Sequence, residues 1–175
     1  MKRDIAFEVD YPHPPQKVWR ALTDSKILAR WLMENDFEPR LGHRFTFRMK
    51  PQPGFDGIVH CEVRELNEPR RLSYSWTGGP LRSEVTFTLT PTPAGTRLRL
   101  EHNGFEGMKA VLLSFLMGGG WGKMLRRRIP ALLGQMNAAG EMAEAPLPEQ
   151  HCERNWSSWF FGGLMRLVPG RRQAR

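Results

Sequence analysis

The chain has 175 residues, enough for one domain with a substantial core. A hydrophobic content of 40% with 25% charged residues excludes disordered and fibrous classes. The net charge of +8 is compatible with nucleic acid, anionic lipid or acidic partners and says nothing about fold. Half of that excess lies in residues 151–175, where five arginines face the single Glu153.

Residues 4–10 alternate, with Ile5, Phe7 and Val9 on one face, and predict a half-buried strand. The prolines of YPHPPQKVWRALTD then open a short helix with Val18, Trp19 and Leu22 on its apolar side. Thr23–Asp24–Ser25 break it and cap a second helix, KILARWL. A meander follows, whose alternation places Phe45, Phe47 and Met49, then Val59, Cys61 and Val63, on one face. The same face takes Leu72, Tyr74 and Trp76, then Val85, Phe87 and Leu89, and finally Leu98, Leu100 and His102. Pro- and Gly-bearing turns join these strands, which argues for an antiparallel sheet with one dry and one wet face. The period then changes. MKAVLLSFLMGGG predicts a helix ended by its three glycines, and WGKMLRRRIPALLGQM a second one with a stripe of Trp121, Leu125, Ile129, Leu132, Leu133 and Met136. Pro130 is expected to kink or split that helix near Arg126.

This α+β order resembles the helix-grip fold of the START-like (SRPBCC) superfamily, which includes the birch-pollen allergen and aromatase/cyclase proteins. Within it, the chain is most similar to the family named for the C-terminal domain of the heat-shock-protein-90 ATPase activator. PPQKVWRALTD, RWLMENDFEPRLGHRFTFRM, GIVHCEVRELNEPRRLSYSW, EVTFTLTPTPAGTRLRLEHNGF and GGGWGKML carry the likeness, over about residues 4–137. The resemblance implies a sheet curled around a long C-terminal helix, with an apolar cavity between them. Residues 1–140 would be that domain, 141–150 a linker and 151–175 a basic amphipathic extension.

The expected ligand-contacting residues are Trp31, Phe45, Phe47, Tyr74, Trp76, Phe87, His102, Trp121 and Leu125, with Arg128 as a fork for a ligand carboxylate. Packing alone and a solvated arginine are the competing readings. His102 is the candidate for a catalytic base, with a satisfied strand-end histidine as the alternative. Strand parity puts His60 and Glu62 on the wet side. Asp56 and Glu106 are candidate mouth carboxylates with a surface turn as the default, and His13 and His43 sit in loop or turn contexts. No metal-ligand spacing, triad order or phosphate loop is present, so no cofactor is expected. Cys61 and Cys152, with no CxxC, suit a reduced compartment.

The sequence therefore points to binding of an apolar or amphipathic small molecule. The alternatives are a cyclase-, aromatase- or hydrolase-like enzyme and a chaperone-associated interaction module. A cytoplasmic setting is expected, and no specific nucleic-acid partner. The tail carries Trp156, Trp159, Phe160, Leu164, Leu167 and Val168 on one helical stripe. Docking on the body or a dimer mate, or contact with an anionic membrane surface, are its expected roles.

Overall fold

The computed structural model describes residues 2–52 and 55–142. A first strand, β1 (Lys2–Tyr11), leads to helices α1 (Pro15–Thr23) and α2 (Ser25–Trp31). Six strands follow: β2 (Glu34–Asn35), β3 (Arg44–Arg48), β4 (Ile58–Asn67), β5 (Arg71–Gly78), β6 (Leu81–Thr92) and β7 (Gly95–Glu106). A C-terminal helical run comprises α3 (Met108–Lys123), a π-helical turn (Met124–Arg128) and α4 (Ile129–Gln135). The strands form one seven-stranded antiparallel sheet in the order β1-β7-β6-β5-β4-β3-β2, so the last strand closes against the first.

Local chemistry explains the early elements. Pro15 occupies the first turn of α1, where its missing N–H has no intrahelical partner to lose. The Asp24 carboxylate accepts from the backbone N–H groups of Lys26 and Ile27 and starts α2 as expected. The Trp31 indole donates to the Ala21 carbonyl at 2.8 Å and locks the two helices together. Gly95 stands where a Cβ would lie 2.2 Å from the Tyr11 carbonyl, so only glycine lets the β6–β7 turn meet the end of β1. The strand β2 was not anticipated. Two residues hold no alternation to read.

The dry face is as the alternation predicts. Phe45, Phe47, Val59, Cys61, Val63, Leu72, Tyr74, Trp76, Val85, Phe87, Leu89, Leu98, Leu100 and His102 are all buried. Exposed ion pairs lace the other side, among them Arg97 with Asp10 and Arg99 with Glu8 and Glu101. His60 and Glu62 lie on that side too, with Glu62 paired to Arg44 and Arg64.

The C-terminal helices correct one expectation. Gly118, Gly119 and Gly120 do not end a helix; α3 runs through them to Lys123. Each glycine costs about 1 kcal/mol against alanine in a helix. Burial of Ala110, Ser114, Met117 and Trp121 along one side outweighs that preference. Pro130 acts where predicted, but as a π turn and not a break. The Ile129 N–H reaches back to the Met124 carbonyl, five residues away, and Pro130 has no N–H to offer. The Leu125 carbonyl left over by this arrangement accepts a 2.7 Å hydrogen bond from the buried Tyr11 hydroxyl. Beyond α4, a turn returns Met142 to bridge Met136, and Ala139 accepts from Arg20. The expected extension at 151–175 lies outside the described residues.

Candidate functional site

The aromatic wall between sheet and C-terminal helix is built by strand parity. Phe45 and Phe47 on β3, Tyr74 and Trp76 on β5 and Phe87 on β6 share the dry face. Neighbouring rings meet edge-on or tilted. Phe45 lies 5.3 Å from Phe47 and 5.5 Å from Tyr74, and Phe47 lies 5.4 Å from Trp76. Trp121 comes down from α3 onto this wall, 6.0 Å from both Trp76 and Phe87. Nine of the ten expected contact residues are buried. None of these nine is more than 2% exposed, so the described lining is closed to solvent.

The tenth is elsewhere. Arg128 does not point into the wall; its Nη1 donates to the Trp31 carbonyl at 3.2 Å. It serves a carbonyl at the C-terminal end of α2, where helical carbonyls lack intrahelical donors. Trp31 is buried but bound to α1 through its indole, which makes it a fastening between helices.

His102 lies at the centre of a continuous hydrogen-bonded chain. An indole N–H can only donate, so the 3.1 Å contact from Trp121 Nε1 makes His102 Nδ1 an acceptor. The ring proton therefore sits on Nε2 and is donated to Ser83 Oγ at 2.8 Å. The Ser83 hydroxyl in turn donates to the Trp76 carbonyl at 3.3 Å. Burial lowers the His102 pKa to about 3, which keeps the ring neutral. A serine against a histidine invites comparison with a nucleophile and its base, but the polarity is reversed. Nε2 carries the proton, and the group on Nδ1 is a donor where a catalytic pair has an acceptor. No lone pair remains for general-base work. His102 is the satisfied histidine, held by side chains where backbone partners were expected.

Tyr74 is the contrasting case. Its ring is packed among Phe45, Phe47 and Phe87, and among the described residues its buried hydroxyl has no hydrogen-bond partner. Burial raises its pKa well above the ordinary phenol value, so it stays a neutral donor. A buried hydroxyl without a partner is costly and rare.

The remaining candidates sit in turns and at strand ends. Asp56 accepts from the Ile58 N–H in its turn, and His43 contacts the Asp36 carbonyl and Glu38. The His13 carbonyl accepts from Thr96, and Glu106 is exposed at the end of β7. Among the described residues no group of three ligands capable of holding a metal occurs. No helix among them is long and apolar enough to cross a membrane.

Two features escaped sequence reasoning although signals existed. Ser83 shares the inward parity of Val85 and Phe87. Arg3 shares that of Ile5 and Phe7, which puts a cation on the dry side of the edge strand. It lines an open groove of about 560 Å³ between β1 and α3, with Phe7, Phe115, Gly118, Gly122 and Arg126.

The sequence profile described as Activator of Hsp90 ATPase homolog 1-like protein matches residues 12–134, most of the body just built. The chain belongs to this family. Its fold is that of the START-like helix-grip proteins. Among solved structures, the protein MLL2253 from Mesorhizobium loti is 38% identical with a TM-score of 0.69, covering 77% of this chain and 99% of its own. BH1534 from Bacillus halodurans is 29% identical with a TM-score of 0.64, covering 76% and 99%. DynU16, described as a putative protein in the dynemicin biosynthetic locus, shares the fold at 23% identity and a TM-score of 0.61, covering 78% of this chain and 49% of its own. No match was found among proteins of curated function.

Proposed function

We propose that the protein binds an apolar or amphipathic small molecule between the sheet and α3, oriented by one hydrogen bond from the Tyr74 hydroxyl. The observation that carries this reading is that unpartnered hydroxyl, buried in a wall of aromatic rings. Apolar burial supplies affinity at roughly 25 cal/mol per Å², and a single polar group fixes orientation. A ligand acceptor, such as a carbonyl or ether oxygen, completes Tyr74 and removes the cost of leaving it bare.

Entry requires the closed wall to open, and the helix above it is suited to that. α3 carries Gly118, Gly119, Gly120 and Gly122 beside the π turn. These weaken its intrinsic stability, so α3 is held mainly by packing. Displacing Trp121 and its turn leaves the sheet ladders intact and uncovers the wall at the cost of the Trp121–His102 hydrogen bond.

An enzyme reading through His102 has no support in the hydrogen-bond polarity described above. A chaperone-associated role rests on the family's description alone. Native mass spectrometry of protein from its own host, before and after organic extraction, tests the proposal. A bound small-molecule mass that extraction removes is expected. Preparations that never carry such a mass, and that bind no apolar probe after extraction, overturn it.

A further inference from the structure

The side of α3 that faces away from the sheet carries its own pattern. Met108, Leu112 and Phe115 are 83%, 60% and 60% exposed and recur at helical spacing. Gly119 continues the same line, opposite the buried Ala110, Ser114, Met117 and Trp121, while Gly122 faces the Phe7 ring of β1. Leu41 is the only other large hydrophobic exposed to this degree among the described residues. A contiguous apolar stripe of this kind marks a contact surface.

Charge indicates what it contacts. The whole run Met108–Gln135 contains Lys109, Lys123, Arg126, Arg127 and Arg128 and no acidic residue. In the groove beside it, the Arg3 guanidinium lies 3.5 Å over the Phe115 ring and that of Arg126 lies 5.7 Å over Phe7. Arg97 and Arg99 on the opposite face of the sheet are paired with carboxylates. Among the described residues Arg3 and Arg126 have no such pairing, and Arg3 Nη1 is buried without a hydrogen-bond partner. The groove's one carboxylate, Asp4, accepts from the Gly104 N–H. Between the arginines, Gly118 leaves open space with no atom within 4 Å of where a Cβ would stand.

We propose that the outer face of α3 and the β1 groove dock on an anionic membrane surface. Met108, Leu112 and Phe115 enter the boundary between headgroups and acyl chains, and Arg3 and Arg126 meet lipid phosphates. The groove, of about 560 Å³, has room for a headgroup. A second copy of the chain is a poorer occupant, because it would bring the same basic, acid-free helix to the contact. Residues 151–175 carry a net positive charge of the same sign.

Sedimentation of the full chain with phosphatidylcholine vesicles, with and without phosphatidylglycerol, tests this at low and high salt. Binding is expected only with phosphatidylglycerol and is expected to weaken as salt rises. The pairs Leu112→Ser/Phe115→Ser and Arg3→Gln/Arg126→Gln should each lower partitioning by about tenfold. Leu112→Gln alone, at an exposed position, serves if a pair fails to fold. The proposal is overturned if wild type ignores the vesicles. It is also overturned if every variant binds as wild type does, which would move the contact to residues 151–175. Self-association of wild type that the variants abolish, without lipid binding, would make the face a dimer surface instead.

Discussion

Two polar groups share one apolar interior, and they differ in one respect. His102 on β7 is bonded at both ring nitrogens, in a chain running from Trp121 through Ser83 to the Trp76 carbonyl. Tyr74 on β5, two strands away in the same sheet, has a hydroxyl with no partner. A buried polar group with its partners in place fixes a wall, and one without them is open to a ligand. The residue type most suggestive of chemistry, histidine, is here the architectural one. The tyrosine is the group that the proposed ligand would complete.

Substitutions can break this contrast. The largest effect is expected from Trp121→Ala, which removes a packed indole and the donor to His102, and should cost about 3–5 kcal/mol in urea unfolding. Trp121→Phe keeps most of the volume but strands Nδ1, so a loss of about 1–3 kcal/mol is expected. Tyr11→Phe should cost a similar amount, about 1–3 kcal/mol, because it orphans the Leu125 carbonyl in the π turn. The same change at Tyr74 removes only an unpartnered hydroxyl. Tyr74→Phe should therefore leave stability within about 1 kcal/mol of wild type or raise it. Equal losses at Tyr11 and Tyr74 would contradict the assignment of the two hydroxyls.

The histidine sharpens the contrast through pH. Its folded pKa of about 3 lies below the ordinary 6.5, so the unfolded chain takes the proton first. The stability that His102 contributes is complete above pH 6.5 and is lost as pH falls from there towards 3. The slope approaches about 1.4 kcal/mol per pH unit for one group. His102→Gln should be less stable at neutral pH and should flatten that slope. An unchanged slope in the variant would mean that His102 is not held neutral.

Much of this architecture was legible in the sequence. Strict alternation over 45–49, 59–63, 72–76, 85–89 and 98–102 fixed the dry face, and with it the burial of Tyr74, Trp76 and His102. The fate of GGG was not legible, because local propensity favours a stop and only contact with the sheet reverses it. Arg128 was misplaced for a related reason. The π turn shifts the helical phase after Lys123, and its guanidinium then reaches α2. Partnership is the harder quantity. Nothing along the chain distinguishes the bonded Tyr11 from the unbonded Tyr74, since each depends on what the fold sets opposite it.

The central claim is tested most directly by two neutral probes of matched shape, 2-acetylnaphthalene and 2-isopropenylnaphthalene, titrated into the extracted protein. Quenching of the intrinsic tryptophan fluorescence reports binding. Wild type should prefer the ketone by about 5–10-fold, one hydrogen bond's worth of selectivity, and Tyr74→Phe should abolish the preference while leaving the hydrocarbon's affinity unchanged. Equal affinities for the two probes in wild type, or a ketone preference that survives Tyr74→Phe, would contradict a ligand-orienting role for Tyr74.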